Sequence, residues 1–183
     1  WLEGEFAHQW NSRYEMAADA FGAWAGYTCT EAPWQPGVLY RYSIFTGDNP
    51  DTPAYERFDP LTGGVQRDWV QGLTFSKLVA NRNLRGHRVE FSVKPFRGME
   101  FSVDYYRLGA DQFNNLGTPP PLQAYQARYI GQSITPTLQW SYGRNLFIQA
   151  LADFVIPGEA LKQALAGEAI TWQSYQLSLY FFY

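Results

Sequence analysis

The stretch MEFSVDYYRLG, residues 99–109, alternates between two kinds of side chain. One phase holds Met99, Phe101, Val103 and Tyr105, and the other holds Glu100, Ser102, Asp104 and Tyr106. Successive side chains of a β-strand point to opposite faces, so this alternation predicts a strand with one face in an apolar environment and the other in a polar one. The C-terminal stretch YQLSLYFFY, residues 175–183, has the same period.

Similar segments recur along the chain and are separated by turn residues. They cover residues 1–10, 14–30, 38–47, 83–95, 99–109, 131–142, 146–156 and 170–183. Pro136 lies inside one of them, and because proline donates no backbone hydrogen bond we expect it at a bulge or an unpaired position. The sequence therefore predicts an all-β, antiparallel protein of about eight strands in one domain, residues 1–183.

The composition excludes several other classes. Aromatic residues make up 18% of the chain and charged residues 17%, below the roughly 25% of an average soluble domain. No apolar run is long enough for a transmembrane helix. A single cysteine, Cys29, excludes a disulfide framework, and a net charge of −3 without a basic cluster gives no reason to expect nucleic acid.

The predicted connections are sorted by length. Short turns fall at 31–37, 95–98 and 143–145, on the same side as the C-terminus, while long loops fall near 48–81, 110–122 and 157–169 on the other side. The short NSR turn on the loop side is the exception. Outer-membrane β-barrels have short periplasmic turns and long outer loops, so this pattern favours a transmembrane barrel over a soluble sandwich.

The two phases assign residues to the faces of such a barrel. The candidate pore-lining residues are Arg41, Arg88, Glu90, Lys94, Glu100, Asp104, Gln139 and Asp153. Tyr105, Trp140, Tyr142, Phe181 and Tyr183 lie near strand ends in the apolar phase, where aromatic side chains form interfacial girdles. On this assignment Val103→Arg is expected to block insertion and Asp104→Arg to be tolerated.

The loop GDNPDTPAYERFDP has two interpretations. Its acidic side chains could bind Ca²⁺, with Asp48 and Asp51 as the first candidates, or they could cap a proline-rich turn in which Arg57 pairs with a carboxylate. The loop could also fold into the lumen as a constriction. The residues concerned are Asp48, Asp51, Glu56, Arg57 and Asp59. We expect no cofactor other than this calcium alternative.

No catalytic residues are predicted. The two histidines, His8 and His87, are far apart in sequence, and no serine or aspartate motif frames either. We therefore expect a protein that is not an enzyme.

Three stretches resemble the alginate-export family of outer-membrane porins: residues 40–64, the pair of segments NLRGHRVEFSVKP and MEFSVDYYRLGAD, and the final strand with its terminal aromatic residue. The resemblance implies a barrel of eighteen antiparallel strands, of which this chain would supply the C-terminal part. It also implies an outer-membrane location in a Gram-negative-type bacterium, in contact with the lipid bilayer and lipopolysaccharide. The last strand would be read by the outer-membrane insertion machinery.

The function implied is a channel for passive diffusion or export of hydrophilic solutes, including an anionic polysaccharide such as alginate. Arg41, Arg88 and Lys94 favour a polyanion, whereas Glu90, Glu100 and Asp104 oppose one, so the solute stays open. The alternative is a structural barrel that anchors a surface layer or an envelope complex.

Overall fold

A computed structural model describes residues 1–60, 72–113, 126–165, 167 and 170–183. It contains eight strands: β1 (Leu2–Asn11), β2 (Met16–Thr28), β3 (Gly37–Phe45), β4 (Leu84–Val93), β5 (Met99–Gly109), β6 (Tyr129–Tyr142), β7 (Leu146–Pro157) and β8 (Trp172–Phe181). A 3₁₀ turn, Phe75–Lys77, and a short helix, α1 (Glu159–Ala164), lie in two of the long connections. The predicted number and order of strands are confirmed. Most of the loop predicted at 110–122 and the middle of that at 48–81 lie outside the described residues.

The strands form one antiparallel sheet in the order β1 to β8, each paired with its neighbour in sequence. Within the described ranges no pairing joins β1 to β8, so these eight strands form an open sheet, and the transmembrane barrel expected from the sequence stays a prediction. No described helix is both long and apolar enough to cross a membrane.

Cross-strand register sorts the side chains onto two faces. One row of partners runs Arg41, Arg88, Tyr106, Ser133, and the adjacent row runs Tyr40, Val89, Tyr105, Ile134. Because the side-chain period is two, the first row belongs to one face throughout and the second row to the other. We call the face that carries Arg88 the polar face and the face that carries Val89 the apolar face.

The connections define the two ends of the sheet. Short turns at 29–36, 94–98 and 143–145 form the turn end, and the longer connections, together with the short turn at 12–15, form the loop end. Pro136 fits its predicted place: the β6–β7 pairing passes from Ile134 to Thr137, while Pro136 is aligned with Val103 on β5.

The buried core lies on the polar face at the loop end. Residues 72–79 fold back over the strands, and α1 packs on β6. We call residues 72–79 and α1 the cap. The cap and the strands beneath it together bury these side chains fully or almost fully: Phe75, Val79, Leu84, Leu108, Ile130, Val155 and Leu161. Gly131 permits the contact, because a Cβ there would meet the Phe75 ring at 2.7 Å.

Candidate functional site

The middle of the polar face carries a network of charged side chains. Arg88 Nε donates to Asp104 Oδ1 at 2.6 Å, and another guanidinium nitrogen donates to Glu90. The Arg88 guanidinium also lies over the Tyr106 ring, 5.7 Å from its centroid. Charge-assisted hydrogen bonds of this length are the stronger ones in proteins, so these side chains are held in one arrangement.

Toward β1 the polar face continues with aromatic and charged groups. The guanidinium of Arg41 lies over the Trp24 ring at 4.7 Å, and its Nε donates to Ser43 Oγ. The Trp24 indole N–H donates to Glu3 Oε2 at 2.7 Å. Two further charged side chains from β1 and β3 thus extend the same face.

At the turn end the polar face opens into a cavity of about 610 Å³. Lys94, Glu100 and Gln139 line it together with Trp34 and Arg97 of the short turns. Lys94 Nζ is 3.6 Å from Glu100 Oε2, and both side chains are more than one third exposed. This pair is therefore hydrated and contributes little to stability.

At the loop end Asp153 is fully buried. Its Oδ1 accepts a hydrogen bond from the Thr135 hydroxyl at 2.8 Å, and its Oδ2 accepts one from the Thr74 backbone N–H at 2.9 Å. The Thr74 hydroxyl is also within 3.1 Å of Ser174 on β8. Asp153 lies on the face predicted for it, and its hydrogen bond with Thr74 anchors residues 72–79 to β7.

The described part of the 46–60 connection also folds over the polar face, where Phe58 packs against Phe45. Asp59 exchanges two hydrogen bonds with Gln9: its N–H donates to the Gln9 amide oxygen, and its carbonyl accepts from the amide nitrogen. Its carboxylate accepts from the Tyr55 hydroxyl at 2.9 Å and lies 3.6 Å from Arg57 and 3.4 Å from Arg82.

Burial raises the pKa of Tyr55, and its hydrogen bond to Asp59 raises that pKa further. Tyr55 therefore stays protonated at neutral pH and keeps donating its hydroxyl proton.

One acidic side chain and one amide side chain of this loop, Asp48 and Asn49, cap its backbone. Asp48 Oδ1 accepts from the Glu56 N–H, and the Asp51 N–H donates to Asn49 Oδ1. These contacts and the Arg57–Asp59 approach match the capped-turn interpretation. Within the described ranges no group of three or more histidine, cysteine, aspartate or glutamate side chains could hold a metal ion.

Both histidines lie on the apolar face and each contacts one oxygen. His8 Nδ1 is 2.7 Å from Asp19 Oδ1, and His87 Nδ1 is 2.9 Å from the Tyr40 hydroxyl. Cys29 is a free thiol at the turn end.

The apolar face exposes large hydrophobic side chains along most strands. Those more than one third exposed include Leu2, Phe6, Phe21, Val38, Tyr40, Val89, Phe91, Phe101, Ile134, Phe154, Tyr175, Leu177 and Leu179. Monomeric soluble proteins rarely expose so many large hydrophobic side chains on one face.

The predicted girdle residues within strands belong to this face. Trp140 and Tyr142 stack edge to face at the turn end, where Phe181 lies opposite Leu146, and Tyr183 follows β8. Tyr105 lies toward the other end and donates to Gln132 Oε1.

Seven of the eight predicted lining residues share the polar face, and Lys94 follows immediately after β4. The structure separates them into the Arg88 network, Arg41 over the Trp24 ring, the turn-end cavity and the Asp153 anchor. Thr74 was not predicted from the sequence, because its partners on β7 and β8 are 79 and 100 residues away along the chain. Trp24 was not predicted either, although an aromatic side chain in the polar phase of a strand is unusual and could have drawn attention to it.

No known protein family model matches this chain, and no curated protein matches it either.

Proposed function

We propose that this chain forms the wall of a porin-like outer-membrane channel for hydrophilic solutes, with the apolar face against lipid and the polar face toward water. One observation carries the proposal: the register gathers six of the eight charged strand residues of β3 to β7 on one face and the large exposed hydrophobic residues on the other, and the two exceptions, Arg85 and Arg107, lie at the loop end. Strands of outer-membrane barrels alternate in this way.

An open sheet leaves unpaired backbone groups at β1 and β8, and lipid offers these groups no hydrogen bonds. The proposal therefore includes further strands that pair with both edges and complete the wall. The eighteen-strand barrel that the family resemblance implies would supply them.

The charges on the polar face favour weak ion selectivity. Arg88 is held by Asp104 and Glu90, and Lys94 is near Glu100, so much of the positive charge is balanced locally. A lumen built for a polyanion such as alginate would need an excess of positive charge. This balance favours passage of small hydrophilic solutes.

The segments 46–60 and 72–79 would narrow the passage at the loop end, because they cover the polar face there. The buried Asp153 would fix the second segment in place. In this proposal these two segments form the constriction, and the Arg88 network is the part of the wall below them.

The test is planar-bilayer conductance of the whole protein that contains this chain, after heat-modifiable mobility has established that it is folded. We expect stepwise ohmic currents. Arg41→Gln should shift the reversal potential toward cations, while the control Arg144→Gln, in an exposed short turn, should leave it unchanged. Folded, inserted protein that carries no current would overturn the channel and favour the structural, surface-anchoring barrel.

A further inference from the structure

A basic depression lies on the apolar face at the loop end of β4, β5 and β6. Its volume is about 260 Å³, and Arg85, His87, Arg107, Arg128 and Tyr129 line it. The three arginines and the histidine are all exposed. We call these four side chains the rim cluster.

The sheet register brings the rim cluster together from three strands. His87 on β4 is the direct partner of Arg107 on β5, and Arg85 is the partner of Gly109. The Arg128 carbonyl accepts the Ala110 N–H at 2.7 Å, which holds the chain before β6 next to the end of β5. The cluster is therefore fixed by backbone pairing.

The charges of the rim cluster are only partly balanced. Arg85 pairs with Asp111 at 2.6 Å. Arg107 lies over the Tyr129 ring at 5.2 Å, and Arg128 lies over the Phe113 ring at 4.8 Å. Across the described ranges, no carboxylate is within ion-pair distance of Arg107 or Arg128. The guanidinium groups of Arg107 and Arg128 therefore lie over aromatic rings, and their N–H groups could bind an anion.

The rim cluster lies just beyond the exposed apolar surface, on the side of the loop end. Val89 and Ile134, which are 41% and 46% exposed, lie in the row two residues away from His87 and Gln132. At about 3.3 Å per residue, the His87–Arg107 row is roughly 7 Å beyond that apolar row. A lipid whose acyl chains cover Val89 would bring its headgroup to the level of the arginines.

We propose that the rim cluster binds the phosphate groups of a phosphorylated glycolipid in the surrounding leaflet. Guanidinium groups present paired N–H donors that match phosphate oxygens, and Arg107 and Arg128 supply two of them. The acyl chains would lie on the continuous apolar surface below the cluster, and the phosphorylated headgroup would contact its exposed positive charge. The inference rests on the proposed function only in placing the apolar face in lipid.

The test measures retention of lipid A by the purified whole protein in detergent, using native mass spectrometry. The probes are lipid A with two phosphates, enzymatically dephosphorylated lipid A, and inorganic phosphate as a competitor. We expect the bisphosphorylated form to be retained and the double variant Arg107→Gln/Arg128→Gln to bind it at least about tenfold more weakly, because both guanidinium groups that face the phosphates are lost. The control Arg144→Gln should bind as the parent does.

Three results would overturn the inference: equal retention by the double variant, equal retention of dephosphorylated lipid A, or displacement by inorganic phosphate at the concentration of lipid A. The last would assign the cluster to a free anion. Conductance separates this inference from the channel proposal. Retained lipid A with no current would leave the lipid site standing and overturn the channel, whereas current without lipid retention would do the reverse.

Discussion

Arg88 on β4 and Asp104 on β5 form a diagonal ion pair: Arg88 is in register with Tyr106 and Asp104 with Glu90, yet Arg88 Nε lies 2.6 Å from Asp104 Oδ1. Their side chains are only 14% and 9% exposed. Because the pair is so strongly desolvated, removing Arg88 would take the positive partner from two carboxylates, whereas removing Asp104 would leave Arg88 paired with Glu90. The middle of the polar face is thus structurally important as well as charged.

The first prediction concerns this pair. Asp104→Asn should lower the free energy of unfolding by about 1–3 kcal/mol, because Arg88 would lose one of its two carboxylate partners and keep Glu90. Arg88→Gln should cost more, about 3–5 kcal/mol, because both Asp104 and Glu90 would lose their pair with the guanidinium. Urea unfolding in lipid vesicles, followed by tryptophan fluorescence, measures both.

The double variant Arg88→Gln/Asp104→Asn is the control for this prediction. Two residues in contact should show a coupling energy, so the double variant should lose less than the sum of the single variants. Additive losses would mean that the pair contributes no interaction of its own.

The second prediction concerns the anchor of residues 72–79. Asp153→Asn replaces one carboxylate oxygen with an amide nitrogen, so the side chain can no longer accept from both Thr74 and Thr135. The segment should lose about 1–3 kcal/mol of local stability. Hydrogen exchange at residues 74–79 should then accelerate, while exchange in the middle of β5 should not change.

A matched variant separates this anchor from general destabilisation. Ser174→Ala removes only the contact with the Thr74 hydroxyl and should have a smaller effect on the same amides. If Asp153→Asn leaves exchange at 74–79 unchanged, Asp153 does not hold the segment.

Period-two patterning predicted the strands well because it is a local property of the chain. The assignments of Val103 to one face and Asp104 to the other follow from it directly, and the register confirms them. The diagonal partner of Asp104 could not be predicted, because it depends on how β4 aligns with β5. We therefore now expect Asp104→Arg to be destabilising, because the new guanidinium would lie next to that of Arg88.

The cap could not be predicted for a different reason. Phe75 is fully buried by contacts with residues distant in sequence, and the pattern around it has no clear period. Asp153 was assigned to the correct face from its phase, but its burial depends on the chain that folds over it. The rim arginines gave a visible signal, since Arg85 and Arg107 stand in the apolar phase at strand ends.

The third prediction compares two neighbouring positions on β5. Val103→Arg places a charge on the apolar face and should reduce the stability of the inserted protein by about 2–4 kcal/mol near the midplane. Ser102→Arg places the same charge on the polar face among Ser92 and Thr137 and should cost less than about 1 kcal/mol. Folding into vesicles, scored by heat-modifiable mobility, measures the difference.

A reversed order of the two variants would mean that the faces are assigned the wrong way round. Equal, small effects would mean that neither face contacts lipid.

The most direct test of the account is a cysteine scan along β5 in a Cys29→Ser background, which removes the chain's single native thiol. The variants Phe101→Cys, Ser102→Cys and Val103→Cys in the whole protein would be reconstituted into vesicles. Each would be probed with a water-soluble thiol reagent and, after fluorescent labelling, with a lipid-borne quencher. The account predicts lipid quenching at 101 and 103 and aqueous labelling at 102. Equal aqueous labelling at all three positions, with no quenching, would contradict it.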